Sequence, residues 1–117
     1  MTKAADFLIA FQGVDVATAN GLAADLEDFL SESVPDADIE RRREDPLTQD
    51  FGATLAIIVG SAAVTALAKG VASWLARRQD ARLVLKSVDI DGQVHEVQVD
   101  GQLGWRTERV LSEFFKP

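Results

Sequence analysis

Phe51-Gly52-Ala53-Thr54-Leu55-Ala56-Ile57-Ile58-Val59-Gly60-Ser61-Ala62-Ala63-Val64-Thr65-Ala66-Leu67-Ala68 is a run of 18 residues without a charge, bounded by Asp50 and Lys69. Roughly 18 to 20 apolar residues is the length at which a helix spans a bilayer. The periodicity does not stop at Lys69. Val64, Leu67, Val71, Trp74 and Leu75 recur at i, i+3 and i+4, which predicts one long apolar central helix over residues 51–78. Such a helix would extend about 40 Å at a rise of about 1.5 Å per residue. Gly52, Ala56, Gly60, Ala63 and Gly70 would then form a stripe of small residues, with Leu55, Ile58, Val59 and Ala62 on the adjoining face. Small residues every fourth position let two helices approach closely. A helix that is apolar nearly all round is buried on every side or lies in lipid.

The flanks bear on that choice. Trp74 followed by Arg77-Arg78 has the aromatic and basic character of an interfacial membrane anchor, and Lys69 could snorkel toward the same interface. Against a resident span, the run is rich in Ala, Gly, Ser and Thr and therefore only weakly hydrophobic. Two readings stay open, a core or oligomer-interface helix and a stably inserted one, with a conditional version between them that is soluble first and inserted later.

Outward from the run, residues 6–13 read as a first strand, apolar at nearly every position and hence central and buried on both faces. Asp15 is placed to cap a helix whose apolar side is Ala19, Leu22, Ala23, Leu26, Phe29 and Leu30. Asn20-Gly21 weakens its first turns, which moves the expected start toward Gly21, and Ser33-Val34-Pro35 stops it. The charged stretch from Asp38 to Arg43 reads as a short edge strand, where charge discourages stray pairing. After the apolar run, residues 82–90 and 94–99 read as strands joined at Asp91-Gly92, a strong hairpin signal. A two-residue turn sets Val84 and Val88 with Val97 and Val99. A three-residue loop bulged at Gly92 instead aligns Leu83 and Leu85 with Val97 and Val99. A last helix buries Val110, Leu111, Phe114 and Phe115. The expected fold is a single α+β domain over residues 1–117, a small mixed sheet in the order β-α-β-α-β-β-α with helices packed on it.

Composition narrows the function classes. Residues 1–50 carry 12 acids and 4 bases (net −8), and residues 51–117 carry 7 acids and 8 bases (net +1), for a total of −7. That balance opposes nonspecific nucleic-acid binding, so no nucleic-acid partner is expected. Cysteine is absent, which removes disulfides, thiol catalysis and cysteine metal sites, and accords with a cytoplasmic location. The only histidine, His95, falls in a strand beside Val97 and Val99 with no nucleophile in a recognisable motif, so the sequence predicts no catalytic residue. Asp89, Asp91, Glu96 and Asp100 surround the hairpin without the spacing of a calcium loop, and Gly101-Gln102-Leu103-Gly104 lacks the Lys-Ser/Thr of a phosphate loop. No metal and no cofactor are expected. Arg41-Arg42-Arg43 either neutralises the acids around it or offers a basic cleavage or partner site for an arginine-preferring peptidase.

The Gly60-Ser61 centre of the apolar run, its Trp74-Leu75-Ala76-Arg77-Arg78 ending and the Asp91-Gly92 hairpin resemble the effector-associated constant component family of bacteria. The acidic first half and Arg41–Arg43 lie outside that resemblance. The likeness implies a small non-enzymatic protein that accompanies an effector, such as a caspase-like or trypsin-like peptidase, in bacterial conflict and antiphage defence. Combined with the apolar run, it sets up the leading expectation. Activation would send residues 51–78 to the inner membrane, with homo-oligomerisation or pore formation through Gly52, Ala56, Gly60, Ala63 and Gly70, and Trp74, Arg77 and Arg78 at the interface. The alternative is a soluble adaptor that binds the effector and keeps the apolar segment as core or oligomer interface.

Overall fold

The computed structural model describes residues 7–42, 54–78, 81–88, 93–101 and 105–115. The elements run β1 (Phe7–Phe11), α1 (Val16–Ser33), β2 (Asp38–Arg42), β3 (Thr54–Ile58), a 3-10 turn (Ser61–Ala63), α2 (Val64–Ala76), β4 (Arg82–Val88), β5 (Val94–Asp100) and α3 (Trp105–Phe115). The strands form one five-stranded sheet in the order β2-β3-β1-β4-β5, antiparallel at every junction rather than mixed.

The long helix is not there. Its first part is β3, its centre is the connection at Val59-Gly60 and the 3-10 turn, and only its second part is helical. The cause is local. Ile57-Ile58-Val59 places three β-branched residues in succession, which favours a pleated strand, and Gly60 then breaks the element. β3 lies between β2 and β1, so Leu55, Ala56 and Ile57 are buried on both faces and the strand is apolar at each of them. A short continuous apolar run of this kind cannot be told from a buried helix by periodicity. α2, with 13 residues, is about 20 Å long. Among the described residues no helix is long and apolar enough to cross a membrane.

The extra strand changes the topology. Because β1 and β2 each pair antiparallel with β3, they run parallel to one another; β3 and β4 are parallel across β1 for the same reason. Two split β-α-β units therefore interleave as β1-α1-β2 and β3-α2-β4, the ferredoxin-like arrangement. β5 and α3 are appended beside β4. β1 occupies the centre of the sheet, as its apolar sequence requires.

All three helices cover one face. Ile9, Phe11, Leu55, Ile57, Leu83, Leu85 and Val99 point into a core that they share with Leu26 and Leu30 of α1, Leu67, Val71, Trp74 and Leu75 of α2, and Leu111 and Phe115 of α3. α2 lies in the middle of the helical layer, packed on α1 and on α3. Phe7 anchors α3 through an edge-on contact with Phe115 at 4.7 Å and a tilted one with Phe114 at 5.8 Å. The intervening positions Ala10, Ala56 and Val84 are buried on the opposite face, outside that core.

The remaining local expectations meet the structure, except for the start of α1 expected near Gly21. Asp15 accepts a hydrogen bond from the Thr18 N–H at 2.7 Å, so α1 begins at Val16 and Asn20-Gly21 does not delay it. The helix ends where the Val34 N–H donates to the Leu30 carbonyl, just before Pro35. β2 is an edge strand. The β4–β5 register opposes Leu83 to Val99 and Leu85 to Val97, which is the longer-loop alternative. The Asp91-Gly92 turn itself lies outside the described residues.

Candidate functional site

Gly70 brings α1 and α2 together. A Cβ at this position would stand 2.9 Å from Leu30 Cδ2, so only glycine lets the two helices meet at this distance without displacing Leu30. Their approach aligns the middle of α1 with the last turn of α2, and between them opens a groove of about 430 Å³. α1 lines it with Asp25, Asp28, Phe29 and Glu32, which recur at helical spacing; α2 and the residues after it supply Trp74, Arg77 and Arg78.

Trp74 is the floor. Its ring is 2% exposed and stands edge-on to Phe11 at 6.1 Å, fixed by the core beneath it. An indole N–H buried with its ring needs an acceptor. Nε1 donates to Asp25 Oδ2 at 2.8 Å, and the Arg78 guanidinium donates to the same oxygen at 2.6 Å. Arg78 also lies over the Trp74 ring at 5.8 Å, and Arg77 over the Phe29 ring at 4.7 Å. The Trp74 indole, followed by the Arg78 guanidinium, holds the Asp25 carboxyl below its ordinary value of 3.8. Asp25 and Arg78 remain nearly half exposed, so water screens the pair and its contribution to stability is modest.

The groove therefore presents two guanidinium groups laid over aromatic rings, with Trp74 buried beneath them, and a flank of three carboxylates. Trp and Arg are the residue types that dominate binding energy at protein interfaces. Among the described residues that line it there is no serine, threonine, cysteine or histidine. Among the described residues no cluster of three or more His, Asp or Glu is placed to hold a metal ion.

Of the residues singled out from the sequence, Trp74, Arg77 and Arg78 come together here, lining one groove. The small-residue stripe comes apart. Ala56 sits in β3 on the face away from the helices, Gly60 lies in the connection, Ala63 ends the 3-10 turn and Gly70 packs on Leu30; Gly52 lies outside the described residues. Arg41 stands in β2 on the helix-facing side, where it bridges Glu27 at 3.0 Å. Arg42 pairs with Thr54 in the same ladder, and Arg43 lies outside the described residues. A peptidase cutting after Arg41 would first have to peel β2 from β3. His95 stands exposed near the start of β5, opposite Ser87.

Asp25 and Phe29 escaped sequence reasoning because the acidic side of α1 reads as a solvated face and Phe29 reads as part of its apolar, core-facing side. The signal was there: a lone aromatic one turn beyond an acid, on a helix whose neighbour ends in Trp and two Arg. No family model matches the chain, and it has no significant match among curated proteins or solved structures.

Proposed function

We propose that this chain is a non-catalytic protein-binding module that accompanies an effector of a bacterial conflict system, as the resemblance of its Gly60-Ser61, Trp74–Arg78 and Asp91-Gly92 segments suggests. The effector docks in the groove between α1 and the end of α2. One observation carries the reading: Trp74, Asp25 and Arg78 are locked to one another at 2.6 and 2.8 Å beside the Arg77–Phe29 pair, a pre-formed patch of the composition that binds proteins. A peptidase effector is the partner class the resemblance favours. Membrane insertion through residues 51–78 forms no part of the proposal, because Thr54–Ile58 of that segment is a strand inside the sheet.

The test uses exposed residues that the core does not need. Arg77→Glu and Glu32→Arg each reverse a charge in the groove while leaving Trp74 in place. Titration calorimetry against the effector encoded beside this gene should show at least about a tenfold loss of affinity for each, with unchanged melting temperature. Equal binding by both variants and the parent would discard the groove as the docking site.

A further inference from the structure

The two edges of the sheet differ in what they allow. Opposed residues in an antiparallel ladder both turn their backbone groups toward the partner strand or both turn them away, so self-pairing of an edge is limited to registers centred on a residue. β2 is Asp38-Ile39-Glu40-Arg41-Arg42. A two-fold register centred on Ile39 sets Asp38 against Glu40; one centred on Glu40 or Arg41 sets that residue against itself. Each puts like charges opposite, and like charges directly opposed are destabilising. This edge is guarded.

β5 is Val94-His95-Glu96-Val97-Gln98-Val99-Asp100. The phase of its hydrogen bonds follows from one contact. The Gln12 N–H donates to the Arg82 carbonyl at 3.0 Å, continuing the β1–β4 ladder one step beyond Phe11↔Leu83. Arg82, Val84 and Lys86 therefore turn their backbone groups toward β1, and Leu83, Leu85 and Ser87 turn theirs toward β5. Through the register, Val99, Val97 and His95 receive the latter, which leaves the backbone of Glu96 and Gln98 directed at the outer edge. Among the described residues no strand lies on that side. Val94 at its start is 62% exposed, the most exposed large apolar side chain among the described residues.

Three registers use the Glu96–Gln98 segment. Centred on Glu96, the pairing sets that carboxylate against its own copy. Centred on Gln98, it sets Glu96 against Asp100 twice. Centred on Val97, it sets Glu96 against Gln98, Val94 against Asp100 and His95 against Val99, with no like charges opposed and the whole strand paired. We propose that β5 pairs with β5 of a second copy of this chain in the register centred on Val97, joining two sheets into one of ten strands. Each Glu96–Gln98 pair exchanges both N–H···O bonds, and the two Val97 residues face each other as a non-hydrogen-bonded pair. α1 packs on β2, at the other side of the sheet, so the dimer leaves its two α1–α2 grooves open and becomes a bivalent partner.

The absence of cysteine makes the register directly readable. A non-hydrogen-bonded pair has Cα atoms about 4.5 Å apart, within disulfide range. Val97→Cys should form a disulfide-linked dimer under mild oxidation. Val94→Cys, more exposed but about 20 Å from its own copy in this register, should not. Glu96→Pro removes an outward N–H and leaves the β4 ladder intact; sedimentation should show a dimer for the parent and a monomer for this variant, with the far-ultraviolet dichroism unchanged. A parent that stays monomeric through the upper micromolar range, or a Val97→Cys protein that cross-links no faster than Val94→Cys, overturns the proposal. The cross-linking comparison stands whether or not the proline variant folds, and neither measurement involves the effector.

Discussion

Asp25 holds the groove together through one oxygen that accepts from both Trp74 and Arg78. Trp74→Phe keeps most of the buried ring and deletes the Nε1 donor, so it should lower stability by about 1 kcal/mol in urea unfolding. The linkage has a defined sign. Asp25 is held below 3.8 when folded, so its bonds stabilise the protein above that pH and the stabilisation is lost as pH falls through the folded-state value. The stability gap between the parent and Asp25→Asn should therefore be full near neutrality and shrink in the acid range below pH 3.8. A gap that stays constant across a pH series of unfolding curves would mean that the carboxylate charge contributes nothing. Gly70 is the other decisive residue. Gly70→Leu, forced into Leu30, should cost about 3 kcal/mol, whereas Gly60→Ala, with nothing within 4 Å of the added carbon, should be nearly neutral. A single helical stripe containing both glycines would make the two substitutions similar, and thermal melts separate the cases.

At the scale of the element, the apolar run is two structures divided at Gly60. The residues after it kept their helical periodicity, and Val64, Leu67, Val71, Trp74 and Leu75 are all buried where the spacing put them. The residues before it have no polar face to reveal a period of two, because β3 is covered by β2 and β1 at its edges and is apolar on both faces. Leu55→Ala in this strand should cost about 2 to 5 kcal/mol, the range for a large buried aliphatic side chain. Hydrogen exchange should rank the amides of β1 and β3 as slowest and those of β2 and β5 as faster, since the first pair is central and the second forms the edges. Fast exchange throughout Thr54–Ile58 would contradict a central β3.

For the whole molecule, the βαββαβ core does not close without the appended elements. Leu111 and Phe115 are at most 1% exposed and Phe114 packs on Phe7, so α3 supplies part of the cover over β1. A chain ending at Gly104 should lose its cooperative thermal transition and bind a hydrophobic dye, because that part of the core would face water. The same two-layer arrangement sets the functional geometry. It puts the groove on the α1 side and leaves β5 as the edge at the other side.

By itself the sequence determined the α+β class, the Asp15 cap and Val-Pro end of α1, the edge position of β2, the centrality of β1 and the apolar side of α3. Each of these is written in local spacing or in a few turn residues. It left two hairpin registers open, and the pairing of Leu83 with Val99 chose between them. Only the tertiary structure decided that residues 54–58 are a strand, because a fully buried run looks alike in either period. Only it decided that Trp74, Arg77 and Arg78 meet Asp25 and Phe29. Those residues lie some fifty positions apart in the chain, and what joins them is the close helix contact at Gly70, a property of packing that no local pattern encodes.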